Sequence, residues 1–292
     1  MNFWKALFGT SEENTEEEQA SNVAKQFDLM KYDGVKAMKI GQWDYAVKCF
    51  NEALKIQDDM EVHEYLSRVL IRLDRLDEAM EELKHLTVAE PQNVAVLQTM
   101  AHVAYMKEDY AAMAQACERA IAIDGEVAMS HYLYGQAALG QNDLINGIAR
   151  LTKAIVLDEQ MVDARLLRAQ TLLKMGDVKG ADEDAQWLMQ RMENQEDVLL
   201  LAARVARAQG QIDKALTIYN KVVELNPFSL EAYQEQGKIY YDQGKLKLAE
   251  ENMKKVLELN PQQLADVSGD YSAEGVEQQM KRAYSMMNPF GI

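Results

Sequence analysis

The pair His63-Glu64 opens as a zinc-protease helix motif does, with an imidazole ligand followed by a carboxylate base. The second imidazole should stand at residue 67, and Ser67 is there instead. The four histidines (63, 85, 102 and 131) make no i, i+4 pair, so each is expected to be a surface or helix-face residue. Cys49 and Cys117 lie far apart without C-x-x-C spacing, and read as small buried apolar side chains rather than nucleophiles or ligands. The run Asp182-Glu183-Asp184 is consecutive, hence splayed around a helix, and reads as a solvated face. No G-x-x-x-x-G-K-[ST] loop or G-x-G-x-x-G turn is present to cradle a phosphate. These residues assemble no catalytic site, metal set or cofactor site, and the chain is expected not to be an enzyme.

Chemistry of another kind has more support. The chain of 292 residues carries 47 Asp and Glu against 31 Lys and Arg, a formal charge of −16. Such a field repels phosphate, so nucleic acid is not an expected partner. Apolar residues make up 48% and charged ones 27%, the balance of a folded globular chain. Apolar runs are a few residues long, far below the roughly 20 that a membrane helix needs. Residues 1–10 have too short an apolar stretch for a signal peptide and run straight into SEENTEEEQ. With two unpaired cysteines, a cytoplasmic location is expected.

What must position any surface is a repeat. Glu224-Leu225-Asn226-Pro227 recurs as Glu258-Leu259-Asn260-Pro261, and Ile121-Ala122-Ile123-Asp124 as Ile155-Val156-Leu157-Asp158, both at a shift of 34. The period divides residues 27–263 into seven units: 27–59, 60–93, 94–127, 128–161, 162–195, 196–229 and 230–263. Their eighth positions read Gly34, Ser67, Ala101, Gly135, Ala169, Ala203 and Gly237, all small. Six of the seven twentieth positions are also small, Met113 being the exception. Each unit shows two helical stretches, near its positions 2–14 and 18–30, joined by a short polar turn. Gly41, Gly176, Gly210 and Gly244 stand at that turn, where a left-handed residue ends a helix. Small residues let the two helices approach, and position 24 (Phe50, Leu83, Cys117, Leu151, Ala185, Tyr219, Met253) fills the gap. Such a hairpin cannot bury its own apolar face, so the units must stack.

This pattern resembles the tetratricopeptide repeat family, most fully in Ala46-x-x-x-Phe50 and Gly237-x-x-Tyr240, with Ala215-x-x-x-Tyr219 close behind. The family's tryptophan at position 4 is replaced by Met30, His63, Leu97, His131, Arg165, Leu199 and Tyr233. The resemblance implies an all-α fold, an α-solenoid superhelix of antiparallel helix pairs. In that family the first helix of each repeat lines a concave groove. The matching positions here include Gln98, His102 and Tyr105, then Tyr132 and Gln136, Leu166 and Gln170, Arg204 and Arg207, and finally Lys238 and Tyr241. The Lys/Asn/Lys/Arg set with which some members clamp a chaperone's C-terminal carboxylate has no counterpart, since position 9 never carries asparagine.

The tyrosines and glutamines of the middle repeats combine flat apolar area with donors and acceptors, which suits a peptide segment. Arg204, Arg207 and Lys238 form a basic spot able to take a carboxylate, which makes an acidic-ended segment the expected partner. Equally open is pairing of these arginines with Asp197 and Glu231. Outside the repeats, residues 1–26 read as an apolar segment (Phe3, Trp4, Leu7, Phe8) followed by an acidic linker. Residues 264–292 read as a capping helix near 273–287 and a tail, Asn288-Pro289-Phe290-Gly291-Ile292, and self-association through the termini is one expectation. The resulting reading is a non-enzymatic scaffold or adaptor that binds a protein or peptide segment in the groove. Its alternatives are a chaperone-like assembly factor that holds clients transiently, or an accessory subunit of an enzyme complex.

Overall fold

The computed structural model describes residues 10–260, with side chains from residue 19 onward. The apolar N-terminal segment, the capping helix and the C-terminal tail expected from sequence lie outside the described residues. The chain divides into two compact units, Met1–Asp143 and Leu144–Ile292. Among the described residues there are fourteen helices and no strand. Unit 1 contains α1 (Thr10–Lys39), α2 (Trp43–Ile56), α3 (Met60–Arg72), α4 (Leu76–Ala89), α5 (Val94–Met106), α6 (Tyr110–Ile123) and α7 (Ala128–Gly140). Unit 2 contains α8 (Leu144–Leu157), α9 (Val162–Lys174), α10 (Val178–Met189), α11 (Glu196–Ala208), α12 (Ile212–Leu225), α13 (Leu230–Asp242) and α14 (Leu246–Leu259). Within each unit consecutive helices pack as antiparallel pairs, the arrangement of an all-α solenoid.

One difference from the sequence reading concerns residues 10–26. The acidic stretch expected as a linker is helical and continuous with the first helix of the array. Glu, Gln and Ala are good helix formers, and nothing in that stretch breaks a helix.

Each first helix ends in the same way. Residues Gly41, Asp74, Glu108, Asn142, Gly176, Gly210 and Gly244 all have φ between 55° and 83°. The next amide in each case turns back five residues, as in Gln42 N to Ala37 O at 2.9 Å and Gln211 N to Ala206 O at 2.9 Å. This bond satisfies a carbonyl that the helix end would otherwise leave open. Helix starts are held by side chains where the residue allows: Asp59, Asn93, Asp109 and Asp177 each accept from a backbone amide three residues on.

The small-residue columns do the work expected of them. At Gly34 an added Cβ would lie 2.5 Å from the Phe50 ring, so α1 and α2 pack at this distance only with glycine there. Phe50 is fully buried and stacks on Tyr65 of α3, ring centroids 5.7 Å apart. Burying such a ring stabilises by about 2–3 kcal/mol. Both thiols are inside unit 1, Cys49 on α2 and Cys117 on α6. Burial, with Glu118 adding to it, pushes the Cys117 thiol up to about 12, which keeps it protonated and unreactive.

Candidate functional site

The first helices α1 and α3, α5 and α7, and α9 and α11 touch one another directly, and side chains of α11 bond to those of α13. In unit 1, Lys31 of α1 reaches Glu61 of α3 at 2.6 Å and the N-cap Asp59 at 3.1 Å. Gln98 of α5 donates to the buried hydroxyl of Ser130 on α7 at 2.9 Å. The first helices therefore form one wall of each unit.

On the unit 1 wall, His102, Tyr105, Met106 and Met129 face solvent, with Tyr105 and Met129 both 43% exposed. Gln98, Tyr132 and Gln136 are half-buried, and Gln136 donates to the Tyr132 hydroxyl at 3.0 Å. The Tyr105 ring leans edge-on toward Tyr110, with centroids 6.4 Å apart. Beside this patch, a cleft of about 290 Å³ opens between α3, α4 and α5. Its apolar lining is Met60, Leu83, Leu86 and Val96, and its carboxylates are Glu61, Glu64 and Glu90.

In unit 2, Leu166 and Gln170 are half-buried on α9, and Tyr241 packs against Ala249. The three cations marked as a basic spot are engaged by the chain's own carboxylates. Arg204 reaches Glu231 at 3.0 Å and Glu235 at 3.6 Å. Arg207 holds Glu235 at 2.5 Å and lies 3.6 Å from Asp242, which also takes Lys238 at 2.5 Å. Arg204 thus takes Glu231, one of the two partners anticipated, together with Glu235 in place of Asp197. Glu235 is nearly fully buried, and burial raises its pKa against the opposing pull of Arg207 and Arg204. Beneath it the Tyr219 hydroxyl is buried without a hydrogen-bond partner, and burial drives its pKa upward.

Two further polar clusters had no signal in the sequence reading. Asp184, expected on a solvated face, is buried and binds Arg168 through both oxygens, at 2.7 and 2.8 Å, and Arg165 at 3.3 Å. Arg165 and Arg191 also both lie on the Trp187 ring, 4.2 and 3.9 Å from its centroid. His63 is buried rather than on a surface, and carboxylates meet both ring nitrogens: Glu82 at Nδ1 and Asp58 at Nε2, 2.8 Å away. Burial works to lower its pKa, the two carboxylate bonds outweigh that, and the net direction is upward. A signal for Asp184 exists in hindsight: Arg165 and Arg168, three apart on α9, share a face that must meet α10. Among the described residues no cluster of His, Cys, Asp and Glu could hold a metal ion, and no helix is long and apolar enough to cross a membrane.

Known proteins of this architecture share the repeat. Residues 200–263 match the tetratricopeptide repeat family. The chain is similar in structure to a tetratricopeptide repeat protein from Parabacteroides merdae, with a TM-score of 0.68 at 15% identity, covering 89% of this chain and 99% of that one. Residues 200–263 are tetratricopeptide repeat, and the chain as a whole shares the fold of such proteins. The pilF protein of Pseudomonas aeruginosa aligns with this repeat protein over 73% of its length and 97% of its own, with a TM-score of 0.59 at 21% identity. YrrB, described as a TPR protein with an unusual peptide-binding site, covers 68% of this chain and 97% of its own, with a TM-score of 0.53 at 16% identity. No curated protein sequence matches the chain. Tetratricopeptide-repeat proteins are in general non-catalytic interaction scaffolds.

Proposed function

We propose that this repeat protein is a scaffold or adaptor that holds a segment of another protein on the wall of its first helices. The observation that carries the reading is the patch of His102, Tyr105, Met106 and Met129, which the chain leaves in solvent beside the half-buried Tyr132 and Gln136. Aromatic and thioether side chains grouped in this way mark binding surfaces, because water is displaced from them at little conformational cost. The likeness to YrrB is one of fold alone, and its peptide-binding site shows only that the architecture accommodates such a ligand.

The test is affinity capture from a native cell extract with the full chain. Wild type is run beside a wall variant (Tyr105→Ala with Met129→Ala) and an outer-surface control (Val88→Ala with Val156→Ala), both residues of which are exposed. One or two proteins retained by wild type and control but lost by the wall variant is the expected result. A broad set retained equally by all three would overturn the reading in favour of a chaperone-like holder or of another face.

A further inference from the structure

We propose that the segment held on this wall is cationic, and that one of its lysine or arginine side chains seats in the cleft between α3, α4 and α5. The inference rests on the first-helix wall being the binding face, and adds the chemistry of what binds there.

The wall is two-layered in charge. In unit 2 the side chains of Arg204, Arg207 and Lys238 are 5%, 13% and 16% exposed, while the carboxylates of Glu231 and Asp242 above them are 54% and 47% exposed. In unit 1, Lys31 at 22% lies beneath Glu61 at 53%, whereas Arg68 at 58% is about as exposed as its partner Glu64 at 46%. At these places an arriving carboxylate meets carboxylates first and must break an ion pair to reach the cation beneath. An arriving ammonium or guanidinium meets the opposite charge at once.

The cleft supplies the place. Its apolar lining suits the aliphatic stem of a long basic side chain, and its carboxylates suit the charged head. Arg68 is the one cation among its described lining residues and is already bonded to Glu64, while Glu61 is held by Lys31. Glu90 accepts from the neutral amide of Asn93 at 2.6 Å and is paired with no cation among the described residues. The start of α3 adds about half a positive charge nearby. Asp59, which accepts from Val62 N at 3.0 Å, already meets it. The cleft thus retains negative charge that nothing in the described chain neutralises.

The experiment uses two fluorescein-labelled octapeptides, one alternating Lys and Leu, the other Glu and Leu, with anisotropy read against the full-length protein. The Lys–Leu peptide should bind in a salt-sensitive way and the Glu–Leu peptide should not; equal or reversed preference overturns the proposal without recourse to any variant. A cleft variant, Glu64→Gln with Glu90→Gln, should then lose about tenfold in affinity for the Lys–Leu peptide. A control that removes the same charge from exposed second-helix sites, Glu81→Gln with Glu118→Gln, should change it by less than about twofold. Equal losses in both variants would show diffuse attraction to an acidic protein and overturn the cleft assignment. If capture still depends on Tyr105 and Met129 when the Lys–Leu preference fails, only the cationic reading falls. If that dependence is absent too, the wall itself falls.

Discussion

A neutral imidazole has one N–H, so His63 can donate to Glu82 or to Asp58 but not to both; bonding at both ring nitrogens requires the charged form. His85 stacks on the ring with centroids 5.1 Å apart, and the charges acting on the imidazole are those of Glu82 and Asp58. The folded-state pKa is raised above the ordinary 6.5. The stability this cluster contributes is therefore fully present below that value and is lost as pH rises through the raised one. Denaturant unfolding of wild type and His63→Ala should show a larger gap near pH 6 than near pH 9; a pH-independent gap would refute the charged pair. At Tyr219 the expectation is opposite in kind. Its hydroxyl is buried and unbonded, so Tyr219→Phe should be neutral or stabilise by up to about 1 kcal/mol in the same assay. Arg207→Ala leaves the buried Glu235 short of its nearest cation and should destabilise by on the order of 3 kcal/mol. Substitution of Arg204 or Arg207 accordingly reads out folding before it reads out binding. The arginines were visible in the sequence as groove positions. Their burial was not, because it depends on Glu235, which sits one repeat on at a position that the family's groove pattern does not single out.

At the scale of the element, the left-handed residue that ends each first helix recurs in all seven hairpins, but only four of these residues are glycine. The four glycines were legible as turn signals. Asp74, Glu108 and Asn142 were not, because Asp and Asn favour a positive φ far less strongly than Gly and Glu does not favour it, so the packed helices on either side decide it there. A side chain in this region costs about 1 kcal/mol. Glu108→Gly should therefore stabilise by up to that amount, and Gly210→Ala should destabilise by a similar amount, both read as shifts in melting temperature. No stabilisation at Glu108 would mean that its side chain makes a compensating contact. The helical pairs themselves were readable from the small-residue columns, since Gly34 against Phe50 leaves no room for a methyl group. The helix over residues 10–26 was missed because a run of glutamates has the composition of a solvated linker as well as that of a helix.

At the scale of the whole chain, the 34-residue period gave the fold class, because each repeat makes nearly the same local contacts and so leaves nearly the same pattern. The division after Asp143 could not be read in the same way, since the repeat pattern passes through it unchanged. The site was legible in part. Groove positions picked out Tyr105 and Gln98, but which charges face solvent is decided by packing between repeats, and this is why the partner proposed above is basic where the sequence reading expected an acidic end. The burial of the two thiols gives the molecule an internal clock. Both belong to unit 1, and residues 144–292 contain no cysteine at all. A thiol reagent added to the intact protein should therefore react only as fast as α2 or α6 opens, reporting the breathing of one unit while the other stays silent. Ligand seated in the unit 1 cleft should slow that labelling, and labelling at the rate of a free thiol would show that the helices around Cys49 and Cys117 are not closed.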